Sequence, residues 1–369
     1  MKQKEFVCLG AISNLEKILA EYSVKSVFLV RGRQSFISSG AKYALMPVLS
    51  EFKVTEFSNF NVNPKIEEAL LGYQSFKDNG SELIIAIGGG SVIDTAKIIK
   101  YLAVNEQGSD YIEKPIPIIA IPTTAGTGSE ATRFAVVYIN GKKTSYEADF
   151  LLPDVSIVDA NLLNGQSKYQ IAVSGIDAFA QGIESYWSIH STSESMRYSE
   201  KAIKLIWGNL ENAINNVEVA KIRVAEGSNN AGKAINITKT TAPHALSYGF
   251  TSMFGLPHGH AVALFLPFFI QYHKTMNDIQ CVDARGIKHL FSKLNKIASI
   301  IGSDCTNLDA DVVAFLKRVG IEINFSLLKI SESDYQLAVR DLNYDRLSNN
   351  PGKIDSELIN NIYRYNNNA

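Results

Sequence analysis

Cysteine is scarce in this chain: of 369 residues only three are cysteines, Cys8, Cys281 and Cys305, and no two form a CxxC pair. That spacing suggests neither a disulfide framework nor a thiolate zinc site. Net charge is equally small, with 36 basic against 37 acidic side chains. So balanced a chain offers no basic field to nucleic acid or to an anionic membrane. Long apolar runs are missing too. None approaches the roughly 20 residues of a membrane span, and the charged stretch Met1 to Gly10 holds no apolar signal core. A small-molecule partner and a cytoplasmic location are the expectations left.

What is present is material for a large core, since 46% of the residues are hydrophobic. From Ser23 to about Asp159, short apolar runs alternate with amphipathic stretches, the pattern of βα units that build a parallel sheet. Strands are predicted at Val27 to Val30, Val54 to Phe57, Leu83 to Ile87, Ile116 to Ile121 and Val155 to Val158. Helices are predicted over Ala41 to Phe52, kinked or interrupted by Pro47, from Pro64 to the Asn79-Gly80 stop, and over Ser91 to Tyr101. Phe134 to Ile139 with Asn140-Gly141 predicts a hairpin. Beyond about residue 160, apolar spacings of three and four dominate, as in Ala202 to Ala213 and Ala231 to Ile237, and predict a mainly helical second domain. The Asn-rich end, Asn360 to Asn368, reads as a frayed tail. The short boundary predicts two closely docked domains with a ligand cleft.

Two turns carry chemistry. Gly88, Gly89, Gly90 and Ser91 follow a buried strand and open a helix containing Asp94. Glycines there let backbone N–H groups approach a pyrophosphate, and the helix N-terminus adds its free donors and positive dipole end. Taken alone, such a turn serves tight packing equally well. A second polar turn, Pro122-Thr123-Thr124-Ala125-Gly126-Thr127-Gly128-Ser129-Glu130, again trails an apolar strand and supplies hydroxyls for a ribose or nicotinamide.

Together, GGGSVIDTAK and PTTAGTGSE resemble the paired signature of the iron-containing (group III) alcohol dehydrogenases, relatives of glycerol dehydrogenase and dehydroquinate synthase. The resemblance spans nearly the whole chain. It implies a dehydroquinate synthase-like architecture: an α/β Rossmann-like dinucleotide-binding domain over residues 1–162 and an all-α metal- and substrate-binding domain over 163–369, with the active site between them. It assigns Gly88, Gly89, Gly90, Ser91, Asp94, Thr123, Thr124 and Thr127 to the cofactor. A homodimer is left open.

The resemblance also implies one divalent metal, Fe2+ or Zn2+. The segment Ser174-Gly175-Ile176-Asp177-Ala178 supplies the first ligand, Asp177, and His244 and His258 supply two more. Gln181 stands where the dehydrogenases usually carry histidine. It lies one helical turn from Asp177 and can offer its amide oxygen, a weaker donor for these metals than imidazole. Tyr248 replaces a further histidine near the substrate. A phenol can donate or relay a proton, although its pKa near 10 makes it a poor base at neutral pH. Tyr248 and Asp94 are the catalytic candidates.

NAD-preferring sites place an acid at the end of the first strand, against the ribose 2′-hydroxyl. Here Gly32 occupies that place between Arg31 and Arg33, which favours NADP(H) over NAD(H), because a cation can pair with the 2′-phosphate. The sequences around Arg133, Tyr248 and Arg346 resemble the phosphonoacetaldehyde reductase branch, which forms 2-hydroxyethylphosphonate. Arg133, Lys143 and Arg346 are the substrate-binding candidates. The reading is a metal-dependent NAD(P)H reductase of a small aldehyde. A generic alcohol, aldehyde or polyol dehydrogenase, a dehydroquinate synthase-like lyase and a metal-free binding relative are the alternatives.

Overall fold

The computed structural model describes residues 3–107, 115–340, 342 and 344–368, and the chain divides into two compact units, Met1–Gln166 and Ser167–Ala369. An α/β unit followed by a helical one is the predicted order.

The strands of the first unit are β1 (Lys4–Cys8), β2 (Ser26–Arg31), β3 (Lys53–Phe57), β4 (Leu83–Gly88), β5 (Ile118–Pro122), β6 (Phe134–Ile139), β7 (Lys142–Glu147) and β8 (Val155–Asp159). Its helices are α1 (Leu15–Tyr22), α2 (Ser35–Ser38), α3 (Ala41–Leu49), α4 (Ile66–Asp78) and α5 (Gly90–Gln107). Six strands form one parallel sheet in the order β1-β8-β5-β4-β2-β3, while β6 and β7 pair separately as an antiparallel hairpin. Asn140 and Gly141 turn that hairpin with φ of 51° and 76°, as its right-handed twist requires.

Period-two alternation divides the core of this unit. Val27, Leu29, Ile85, Ile87, Ile119 and Ile157 meet Leu15, Ile18, Leu45 and Leu49 of α1 and α3 on one face. Phe28, Val30, Ile84, Ala86 and Ile118 meet Phe76, Ile93, Ala96 and Ile99 of α4 and α5 on the other. With both faces covered, the central strands are continuous apolar runs. The chain leaves β2 for β3 on one side and β4 for β5 on the other, so the carboxyl ends of β2 and β4 flank a topological switch point.

Several elements differ from the sequence expectation. Strand β1 was not predicted. Pro64 does not open α4, because its carbonyl accepts from Tyr138 N at 2.8 Å and Lys65 is the N-cap. Pro47 lies inside α3 without interrupting it. So near the C-terminal end it forgoes a single helical bond. Helix α5 continues past Tyr101 to Gln107.

The second unit comprises α6 (Lys168–Trp187), α7 (Ser193–Ile214), α8 (Glu218–Thr238), α9 (Ala242–Phe254), α10 (His258–Ala263), α11 (Leu266–Thr275), α12 (Ile287–Ile301), α13 (Leu308–Arg318), α14 (Glu332–Ala338), α15 (Tyr344–Leu347) and α16 (Ser356–Asn368). Helix α6 opens on a Ser167–Gln170 capping box, and every residue from Gly175 to Trp187 is buried. It packs against α7, α8 and α10, and α10 packs against α9. Contrary to expectation, the Asn-rich end is the ordered helix α16: Ile359 and Ile362 are buried, and Asn366 Nδ2 donates to Leu264 O at 2.7 Å. No described helix is long and apolar enough to cross a membrane.

Candidate functional site

In the first unit, the loops after β2, β4 and β5 converge. Gly32 N donates to Ile87 O at 3.3 Å and Thr123 N to Gly88 O at 2.9 Å. A Cβ at Gly89 would lie 3.4 Å from Thr124 Oγ1, so the two polar turns nest against each other. Ser91 Oγ accepts from Asn63 N at 3.3 Å. The buried Thr123 hydroxyl has no hydrogen-bond partner among the described residues, an orphaned group of the kind a ligand satisfies.

Asp94 ties the turn from behind: one carboxylate oxygen accepts from Ser129 Oγ at 2.6 Å and the other from Val136 N at 3.0 Å. Desolvation holds its pKa above the ordinary carboxylate value. Three residues on, buried Lys97 donates to the carbonyls of Ser129, Thr132 and Phe134 at 2.6, 2.8 and 2.9 Å. Burial pulls its pKa down to about 8, against the pull of Asp94 and Glu130. Lys97 was not singled out from sequence.

At the β2 end, Arg31 Nε pairs with Glu56 Oε2 at 2.6 Å, and its guanidinium lies 5.0 Å over the Phe36 ring. Arg33 bonds Ser58 O at 2.9 Å and Asn59 Oδ1 at 3.1 Å. Ser35 fills the room beside Gly32, where a Cβ would sit 2.0 Å from its Oγ. Arg133, 40% exposed, pairs with Glu147 and Asp149 at 3.2 and 3.3 Å. Lys143 stands opposite Tyr138 in the hairpin.

In the second unit, α6 carries Asp177 and, one turn later, Gln181. Helix α9 carries His244 and Tyr248, and α10 begins at His258. Gly259 lets α10 approach α6, since a Cβ there would stand 1.9 Å from Val173 O and 3.0 Å from Asp177 Cβ. Potential ligand atoms of Asp177, His244 and His258 consequently lie within 4.8 Å of one another. His244 Nε2 is 3.2 Å from Asp177 Oδ1. The His258 ring centroid is 5.3 Å from that of His244 and 6.1 Å from that of Tyr248. Arg346 sits on α15, which packs against α9.

This donor set fits a divalent cation. The buried Gln181 Oε1 accepts no hydrogen bond from any described residue, and a buried amide oxygen left bare is costly unless something positive meets it. Buried Glu184, not singled out from sequence, pairs with His244 Nδ1. Burial works against a charged His244, but Glu184 and Asp177 outweigh it and push the imidazole pKa up to about 10. Two buried carboxylates thus make a negative recess in which imidazole and carbonyl-type donors suit Fe2+ or Zn2+. The one sequence signal for Glu184 is its spacing, seven residues from Asp177 and on the same helix face.

Residues 4–160 match the iron-containing alcohol dehydrogenase family, and residues 171–367 match the C-terminal region of the Fe-containing alcohol dehydrogenase family. The phosphonoacetaldehyde reductase of Streptomyces viridochromogenes is 30% identical over 297 residues, covering 76% of this chain and 74% of that protein. The 1,3-propanediol dehydrogenase of Klebsiella pneumoniae is 28% identical over 355 residues, covering 89% and 87%. Among solved structures, sulfoacetaldehyde reductase from Bifidobacterium kashiwanohense in complex with NAD+ superposes with a TM-score of 0.86 at 27% identity, covering 99% of this chain and 97% of that one.

Proposed function

Because the chain belongs to the iron-containing alcohol dehydrogenase family, we propose that it reduces phosphonoacetaldehyde to 2-hydroxyethylphosphonate with NADPH and one Fe2+ or Zn2+ ion. The observation that carries this reading is the convergence of Asp177, His244 and His258 beside a bare Gln181 oxygen. When bound, the ion would polarise the aldehyde oxygen as a Lewis acid and the nicotinamide would deliver hydride to the carbonyl carbon.

The chain's own groups bind, orient and move the proton. Asp177, Gln181, His244 and His258 would hold the ion. Gly88, Gly89, Gly90 and Ser91 would seat the pyrophosphate at the N-terminus of α5, and Thr123, Thr124 and Thr127 would meet the ribose and nicotinamide. Asp94, engaged by Ser129 and Val136, would hold that turn in place. Tyr248, stacked near His258, would pass its hydroxyl proton to the product oxygen and recover one from water. Arg33, whose partners Ser58 and Asn59 are neutral, would be the cation to receive the 2′-phosphate, since Arg31 already answers Glu56.

The substrate rests on the relatives named above, two of which are reductases of acetaldehydes carrying an oxyanionic head group, and on Arg346, whose helix packs against α9. Arg133 and Lys143 are the other candidates for the phosphonate. The test is NADPH oxidation by metal-reconstituted protein with phosphonoacetaldehyde, sulfoacetaldehyde and an uncharged aldehyde of similar length. The phosphonate is expected to be preferred. Arg346→Ala, and separately Arg133→Ala, should lower kcat/KM for it by about 10- to 150-fold, the loss of one charge-assisted bond, with little effect on the neutral aldehyde. Indifference of the wild-type enzyme to the phosphonate would remove the assignment and leave an aldehyde reductase of the family.

A further inference from the structure

We propose that Glu184 is a positioning residue that sets metal affinity by fixing the tautomer of His244, an inference that rests on the metal reading above. Glu184 is fully buried. One carboxylate oxygen faces His244 Nδ1, and the other accepts from Thr241 N at 2.7 Å and Thr241 Oγ1 at 2.9 Å. Trp187 Nε1 donates to the same Thr241 hydroxyl at 2.9 Å, so that hydroxyl must turn its own proton towards Glu184. Every donor around the carboxylate therefore points inward.

A carboxylate in that position can only accept, so when a metal ion displaces the proton from Nε2, His244 keeps its remaining proton on Nδ1. Nε2, the atom 3.2 Å from Asp177 Oδ1, is left as the lone-pair donor aimed at the other ligands. Support of this kind raises the basicity of a ligating imidazole and stops its rotation. Glu184 and Trp187 descend from the helix that carries Asp177 and Gln181, so one element supplies two ligands and the brace for a third.

Glu184→Gln is the informative change because it keeps the shape and alters the donor pattern. The amide has one oxygen for three inward donors. If that oxygen stays on Thr241, the NH2 faces His244 Nδ1, moves the imidazole proton to Nε2 and blocks the ligating lone pair.

Zn2+ affinity of the full chain, measured by chelator competition, should fall by about 10- to 100-fold in Glu184→Gln, with unfolding temperature and circular dichroism close to wild type. The visible spectrum of the Co2+-substituted protein should shift, a response that a structural role alone would not give. Thr241→Val is the second variant. It leaves the carboxylate in place and strips one of its donors, and should weaken Zn2+ binding less than Glu184→Gln does. Zn2+ affinity and Co2+ spectrum unchanged in both variants, with wild type binding one equivalent and Asp177→Ala binding none, would overturn the role of Glu184 alone. Wild type binding no more metal than Asp177→Ala would remove the metal reading, and this inference with it.

Discussion

Gly90 and Thr127 stand so close that a Cβ on Gly90 would lie 2.8 Å from both Oγ1 and Cγ2 of the threonine. The first glycine turn and the second polar turn therefore share one packed surface, and the space a methyl would need is already filled. Gly90→Ala should push the turns apart at an overpacking cost of about 1–3 kcal/mol, which appears as roughly 5- to 150-fold weaker NADPH binding in a fluorescence titration. Thr127→Ala added to it should restore part of the affinity. Wild-type affinity in Gly90→Ala would mean that the dinucleotide lies elsewhere.

The proposed preference for NADP(H) can be tested at Gly32. An aspartate there would repel a 2′-phosphate and accept from a 2′-hydroxyl, but its Cβ would meet Ser35 Oγ at 2.0 Å. The double change Gly32→Asp with Ser35→Ala makes the room. It should move the ratio of kcat/KM for NADPH over NADH about tenfold or more towards NADH. An unchanged or larger ratio would contradict the assignment of the 2′-phosphate to this corner.

Lys97 is a separate test of what holds the second turn. Its ammonium bonds three carbonyls and, at 3.1 Å each, the hydroxyls of Ser129 and Thr132. Lys97→Met strands those acceptors and removes a cation whose charge acts on Asp94. A loss of about 3–5 kcal/mol is expected in denaturant unfolding, the usual scale for breaking a buried charged network. A loss below about 1 kcal/mol would show that the turn stands without it.

Gln181→His would supply the imidazole that this chain lacks. If the Gln181 side chain faces the ligand cluster, Zn2+ affinity should rise by about tenfold or more, since imidazole suits zinc better than a neutral amide. Equal affinity measured by competition would place residue 181 outside the coordination sphere.

The acid stability of the second unit has a named contributor in His273. It is fully buried, T-stacked on Trp187 with centroids 4.6 Å apart, and its Nε2 accepts from Asn350 Nδ2 at 3.1 Å. Burial pushes its pKa down to about 3. Below the unfolded value of about 6.5, the unfolded chain binds a proton that the folded chain refuses, so the native state loses stability as pH falls from there towards 3, by up to about 1.4 kcal/mol per pH unit. His273→Gln should flatten the fall between pH 6.5 and 4 when unfolding free energies of variant and wild type are compared. Parallel curves would show that His273 takes no part.

How far the chain can be read without coordinates depends on whether a residue's neighbours are local. Strands such as Leu83–Gly88 and Ile118–Pro122 are legible because burial on both faces writes a continuous apolar run. Strand β1, Lys-Glu-Phe-Val-Cys, is a short, mostly exposed edge with charges at its start, and carries no such run. The Asn-rich tail looks unstructured until Asn366 finds Leu264 O, 102 residues away. Asp177 and His244 can be named from their sequence frames although 67 residues separate them. Glu184 cannot, because a glutamate on a helix normally faces solvent, and its partner, His244, lies 60 residues downstream.

The spacing along α6 limits how this site can change. Asp177, Gln181, Glu184 and Trp187 follow one another at intervals of four, three and three residues, so they share a phase on a helix that turns about 100° per residue. Substitution leaves that phase intact, and a donor at 181 can be exchanged for another without disturbing its neighbours' directions. Insertion or deletion of one residue between 177 and 187 would rotate every later position by about 100° and shift it about 1.5 Å along the axis. This stretch can therefore drift in chemistry but not in length.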